Sequence, residues 1–133
     1  MKIGYRALKD IVAHAQEAAP DECCGVLLGV ADRIITAVRS RNADDQPARR
    51  YAIDPRDHIA ARRQARAAHQ DVLGFYHSHP HTVPHPSASD VAEWTYPEAL
   101  SVIVGLDGQS LRARAFTIRG ALVEEVVLVT ECD

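Results

Sequence analysis

His77-Ser78-His79-Pro80-His81-Thr82-Val83-Pro84-His85-Pro86-Ser87-Ala88-Ser89-Asp90 is the stretch on which the reading of this chain turns. On a β-strand, residues two apart project from one face, roughly 6.5–7 Å apart along the chain. His77 and His79 therefore aim two imidazoles at one point, which is what a metal needs from its first two ligands. Neutral imidazole suits zinc at about 2.0–2.1 Å. The proline-rich loop over residues 81–86 turns the chain back, and a short helix over residues 87–94 presents Ser87 and Asp90 together, three residues apart. Two imidazoles and the Asp90 carboxylate leave a fourth position for water, the mark of a catalytic rather than a structural site.

Each residue also has a plainer reading. His-x-His on a strand is, taken alone, more often incidental than metal-binding. Ser87 followed by Asp90 is equally a helix N-cap with an acidic residue in the first turn. Seven histidines in the chain raise the chance of coincidental pairs. The combination, in order and with this loop length, is what singles the stretch out.

Working outward, residues 72–77 read as the strand that carries the first histidine. Upstream, residues 22–30 are apolar and bounded by turn residues, a buried strand, with residues 33–39 as its hairpin partner turning at Asp32. Leu8, Ile11, Val12, Ala15 and Ala18 or Ala19 recur at helical spacing, predicting a helix over residues 5–19 ended by Pro20. Residues 42–47 read as loop and residues 51–53 as a short strand. Asp54-Pro55 has the chemistry of a helix start, with Asp54 as N-cap, for a helix to about His69. Downstream, residues 94–98 read as a brief connection. Strands follow over residues 100–104, 111–118 and 122–129, the last two joined at Arg119-Gly120. Helices interspersed with hairpins predict an α/β sandwich around a mixed sheet.

The 133 residues suit one domain, 1–133, with 47% apolar and 25% charged residues. A net charge of -3 gives no global pull toward nucleic acid or membrane. The arginines between positions 49 and 66 are interleaved with alanine and aspartate and read as a solvated helix face. Cys23, Cys24 and Cys132, an odd count with two adjacent, do not form a disulfide framework. Residues 1–20 are charged throughout, without a signal-peptide core, and no apolar run approaches membrane-spanning length. A reducing cytoplasm is the expected location.

The central stretch resembles the JAMM metalloprotease motif: His-Ser/Thr-His-Pro, six residues, Ser, two residues, Asp. His77, Ser78, His79, Pro80, Ser87 and Asp90 match it at every specified position. Catalytically competent MPN domains also carry a glutamate far upstream at the start of a strand, followed by glycine and apolar residues. Glu22-Cys23-Cys24-Gly25-Val26-Leu27-Leu28-Gly29 is similar to that pattern. The similarity spans nearly the whole chain. It implies a single-domain MPN-like sandwich, a mixed curved β-sheet with flanking helices that is cytidine-deaminase-like. It implies one zinc ion per chain held by His77, His79 and Asp90, with iron or cobalt able to take the same ligands. Glu22 would move protons and Ser87 would donate to the oxyanion, while Ser78, pointing away from the metal, and Pro80 are structural. His81 and His85 could contact substrate or a second metal, or be ordinary exposed histidines. Cys24 shares a face with Glu22 on a regular strand and is either a small buried thiol or a nucleophile; the latter would leave His-x-His and Asp90 unexplained.

Relatives of this kind remove ubiquitin or ubiquitin-like modifiers, and the compact bacterial forms act on ubiquitin-like sulfur carriers after a terminal diglycine. Few residues separate Asp90 from the strand at Leu100, which leaves no room for large inserted loops. The resemblance thus implies a deubiquitinase-like peptidase or isopeptidase whose partner is a ubiquitin-like or sulfur-carrier protein with a diglycine-type tail. Glycine lets backbone approach the metal closely. The alternatives are a non-catalytic MPN-like scaffold and a zinc amidohydrolase of a small peptide. A zinc nucleobase deaminase would need His-x-Glu and Pro-Cys-x-x-Cys, and neither occurs. The oligomeric state is left open.

Overall fold

The helical rhythm near the start of the chain becomes α1 (Tyr5–Ala18), which buries Ala7, Ile11 and Ala15. Pro20, with no amide hydrogen to continue the ladder, follows its end. The computed structural model describes residues 1–106 and 112–133. Around α1 run β1 (Lys2–Gly4), β2 (Cys24–Val30) and β3 (Arg33–Ser40). Then come α2 (Pro55–Ala67), β4 (Asp71–His79) and α3 (Ala88–Glu93). β5 (Leu100–Gly105), β6 (Arg112–Arg119), β7 (Leu122–Val126) and β8 (Val129–Glu131) complete the chain. Of the strand expected over residues 111–118, Leu111 lies outside the described residues.

The strands form one mixed sheet in the order β7-β6-β5-β4-β2-β3-β1-β8. The β4–β5, β1–β3 and β1–β8 pairs are parallel and the others antiparallel. Alternation along each strand sends side chains to two separate cores. On one face Leu27, Tyr76, Val102 and Val104 pack with Ile11 and Ala15 of α1. On the other, Val26, Leu28 and Phe75 pack with Ala61 and Ala65 of α2. From Phe75 to His79 the odd-numbered residues of β4 thus face α2 and the even-numbered ones α1, whereas Val72 packs on the α2 side and Leu73 on the α1 side, across the register shift at Leu27/Leu28. Gly25 lies under the Tyr76 ring, and a Cβ there would collide with it. At the β6–β7 turn Gly120 has φ +60, which glycine adopts without strain.

Three departures from the sequence reading have local causes. Residues 122–129 do not form one strand: β7 ends at Val126, Leu128 packs into the α1 core, and β8 pairs with β1 at the opposite edge. The apolar run Val126-Val127-Leu128 breaks the period of two that a half-buried strand requires. Residues 51–53 are reduced to a single bridge between Ile53 and Asn42. β1, only three residues long, carries too short a pattern to read in advance. The start of α2 follows expectation, with Pro55 in the first turn and the Asp54 side chain accepting from the Arg56 amide at 2.8 Å. Arg56, Arg62, Arg63 and Arg66 are exposed on its outer face. Among the described residues no helix is long and apolar enough to cross a membrane.

Candidate metal centre

β4 is the sheet's central conduit to the site. It runs two residues beyond the expected end, because Ser78 and His79 pair with Val104 and Gly105 of β5. His77 and His79 therefore project from the α2 face together, 1% and 4% exposed. Ser78 points the opposite way, as expected. It is fully buried, its hydroxyl accepts from the Cys23 amide at 2.8 Å, and its own amide donates to the Cys23 carbonyl at 3.1 Å.

After Pro80 the loop folds back and is pinned by Pro84 and Pro86, both buried. It ends in α3, where Ser87 and Asp90 form a reciprocal cap. Ser87 Oγ accepts from the Asp90 amide at 3.1 Å and Asp90 Oδ2 accepts from the Ser87 amide at 2.9 Å. The plainer reading of this pair, a helix cap, is thus what the hydrogen bonds show, and the cap aims the carboxylate toward the two imidazoles. Asp90 Oδ2 lies 3.1 Å from His77 Nε2 and 3.1 Å from His79 Nε2, and the two nitrogens are 3.1 Å from each other.

This equilateral triangle fits a small divalent ion. Ligands of a tetrahedral ion with bonds of about 2.0–2.1 Å are about 3.3 Å apart, so the three atoms need to spread by only a few tenths of an ångström. The tautomer is also right. Val83 O can only accept, so His79 Nδ1 donates to it at 2.8 Å and turns the Nε2 lone pair to the centre. His77 lacks such a tether, its Nδ1 being buried without a hydrogen-bond partner. Its ring is instead stacked on Tyr51, centroids 4.1 Å apart and planes 17° apart.

Glu22 sits just before β2, 7% exposed. Its amide donates to Pro47 O at 2.8 Å and its carbonyl accepts from Asn42 Nδ2 at 3.0 Å. One carboxylate oxygen lies within 4.8 Å of ring nitrogens of both His77 and His79, and Oε1 is buried without a partner. That separation is within the span of a single bridging water.

Two largely buried carboxyls and two buried imidazoles set the electrostatics of the pocket. Burial, with help from Asp90 and Asp44, pushes Glu22 up to about 7, against the opposing pull of His79. Burial holds His77 below the usual histidine range. Burial acts against charge on Asp90 too, yet the His77 and His79 hydrogen bonds outweigh it and hold the carboxyl well below its ordinary range. His79 is likewise raised by Asp90 in spite of its burial.

The other sequence candidates fall outside this cluster. His81 is exposed in the loop, and His85 packs edge-on against Phe116 at 5.3 Å with Nδ1 near Pro86 O. Cys24 is the register partner of His77, but it is fully buried and its Sγ faces the carbonyls of Ser40, Arg41 and Ala52. Burial pushes its thiol up to about 12, so it is an inert core thiol rather than a nucleophile.

The profile of prokaryotic homologues of the JAB domain (Prok-JAB) matches residues 5–118. The chain belongs to that family. It is 37% identical over 115 residues to the desampylase of Haloferax volcanii, covering 82% of this chain and 83% of that protein. It is 36% identical over 125 residues to the CysO-cysteine peptidase of Mycobacterium tuberculosis, covering 91% of this chain and 85% of that one. A solution structure from Desulfitobacterium hafniense superposes with TM-score 0.86 at 28% identity, covering 99% and 93% of the two chains. A JAB1/MPN domain protein from Archaeoglobus fulgidus does so with TM-score 0.66 at 25% identity, covering 98% of each. The mixed curved sheet with flanking helices expected from the sequence is therefore the JAB/MPN fold.

Three features of this JAB site escaped the sequence. Asn42 ties the Glu22 carbonyl to that of Arg50 with its Nδ2, while its Oδ1 accepts from Asp44 and Ala52 amides. An asparagine among turn residues gives no hint of such a hub. Tyr51 was part of a short expected strand, and its contact with His77 is purely tertiary. Residues 94–98, expected to be a mere connection, place Trp94 and Tyr96 against Phe75.

Proposed function

We propose that this JAB-family chain, as one JAMM/MPN metalloprotease domain over residues 1–133, is a zinc-dependent peptidase or isopeptidase. It hydrolyses an amide at the C-terminal tail of a ubiquitin-like or sulfur-carrier protein. The observation that carries this reading is the 3.1 Å triangle of His77 Nε2, His79 Nε2 and Asp90 Oδ2. The desampylase and CysO-cysteine peptidase relatives support the substrate class.

His77, His79 and Asp90 hold one zinc ion per chain. When bound, the ion polarises a carbonyl and brings the pKa of water from about 15.7 toward 7. Glu22 takes the proton of the attacking water at its unpartnered Oε1 and returns it to the departing amine, a service worth roughly 10²–10⁴-fold. Ser87 Oγ accepts from the Asp90 amide and lies 3.2 Å from Ser89 Oγ; with Ser89 donating in that pair, the Ser87 O–H is left to donate to the carbonyl oxygen as charge gathers there. Val83 O and the Tyr51 ring hold the two imidazoles in place, so the ligands need shift only slightly to take the ion. Three free cysteines, two of them buried, support a reducing cytoplasm.

The test uses metal-loaded protein and a ubiquitin-fold carrier extended beyond its diglycine, with the carrier's mass followed over time. The parent trims the carrier; Glu22→Gln keeps stoichiometric metal and loses turnover. A protein that takes up no stoichiometric metal would be a scaffold, and an active Glu22→Gln variant would remove Glu22 from the proton path.

A further inference from the structure

Beside the metal centre, and sharing Asp90 with it, lies a cavity of about 360 Å³. That is the size of a small-ligand site, at the lower end of the roughly 300–1,000 Å³ range. Its walls are aromatic. Phe75 meets Tyr96 at 4.6 Å and Trp94 at 5.9 Å between centroids, and His58 meets Phe75 at 5.2 Å. Trp94 Nε1 donates to Tyr96 O at 2.9 Å, which fixes the indole in the wall. Glu93 also lines the cavity and forms no ion pair among the described residues. Among the described residues no lysine or arginine lines it. His58 is held below its ordinary pKa by burial and by Arg62, so it adds no positive charge near neutrality.

The proposed reaction assigns a side to this cavity. The two glycines next to the scissile bond have no side chain to place, so a space of this size that abuts the centre at Asp90 is of no use to them. It suits the residue on the departing amine side. We propose that this cavity is a specificity pocket for the first residue of the leaving group, and that it takes a side chain with an apolar stem and a positive end, lysine or arginine. The stem lies along the rings of Phe75 and Trp94, the cation meets the ring faces, and Glu93 supplies the opposite charge. A carboxylate side chain is refused, because Glu93 repels it and no basic residue answers it. This inference rests on the peptidase reading for its orientation, but the pocket's ligand chemistry can be read without turnover.

Trp94 is the chain's single tryptophan, so its fluorescence reports the cavity alone. The probes are N-acetyl-Gly-Gly-X-amides with X as Lys, Leu, Glu or Gly, titrated into metal-loaded Glu22→Gln protein. The Lys peptide binds saturably and about 5-fold or more tighter than the Leu peptide, and the Glu peptide is weakest. Glu93→Gln brings Lys and Leu within about 2-fold of each other, and Tyr96→Ala weakens both while sparing Gly. Leu or Glu binding as well as Lys, an unchanged Lys-to-Leu ratio in Glu93→Gln, or silence of Trp94 toward every peptide would each overturn the pocket assignment. The same peptides offered to the metal-loaded parent separate the two readings. No hydrolysis alongside an intact Lys response defeats the peptidase reading and leaves the pocket chemistry standing.

Discussion

Replacing Ser78 by alanine tests how the two halves of the site are joined. Ser78 and Cys23 exchange two hydrogen bonds, at 2.8 and 3.1 Å, across a place where Ser78 is fully buried and Cys23 is 3% exposed. The alanine variant keeps the strand pairing but leaves the Cys23 amide buried without an acceptor, a loss of about 1–3 kcal/mol. With an unfolding entropy of about 2.1 cal/mol/K per residue, 133 residues give about 280 cal/mol/K, so each kcal/mol moves Tm by about 3.6 °C. The expected drop is about 4–11 °C by calorimetry on the metal-free protein. Cys23 is the immediate neighbour of Glu22, whereas the proposed metal ligands stand on the opposite face of the sheet. Metal stoichiometry should therefore be unchanged while kcat on an extended carrier falls about 10-fold or more, since small misplacements of a catalytic group are costly. Ser78→Thr, which keeps the hydroxyl, should recover most of the turnover. A Tm within about 1 °C of the parent would refute the worth given to the bond. A destabilised Ser78→Ala enzyme with full kcat would refute the claim that this serine sets Glu22.

Tyr51→Ala should weaken metal binding about 2- to 10-fold in a chelator competition, the value of one aromatic stack, while Tyr51→Phe stays near the parent. Equal loss in both variants would mean that the hydroxyl, not the ring, is what matters. Metal at about 100 times its dissociation constant should stabilise the fold by about 2.7 kcal/mol, close to 10 °C in Tm, and no shift at saturation would defeat the ligand set. Iodoacetamide at pH 8 should label exposed Cys132 alone in the native protein, because burial pushes Cys23 up to about 11 and Cys24 up to about 12. All three thiols should react after denaturation, and native labelling of Cys24 with loss of turnover would revive the thiol nucleophile.

The parts of the site that could be read in advance are those encoded over short spans. The period of two places His77 and His79 on one face, and the three-residue cap places Ser87 beside Asp90; both rules act within a single element. The sheet's central strands were legible for the same reason, being apolar runs bounded by turn residues. Where the outcome hung on distant partners the sequence was mute. β8 finds its place only because β1 offers an open edge at the far side of the sheet. Asn42, Tyr51 and the wall formed by Trp94 and Tyr96 matter through contacts with residues 19 or more positions away.

Glu22 lies between these cases. Spacing gives no reason to bring it to His77, and it was singled out through its resemblance to the JAMM pattern. The structure supplies the missing physical reason in Ser78. The residue between the two histidines must face away from them, and on that far face its hydroxyl grips the backbone of Cys23. A motif position that accepts serine or threonine, but points away from any substrate, is thus a demand for a hydroxyl as a splice. It fastens the strand end that presents Glu22 to the strand end that presents both imidazoles, so the proposed proton carrier and the proposed ligands are set in one register by a bond that neither of them makes.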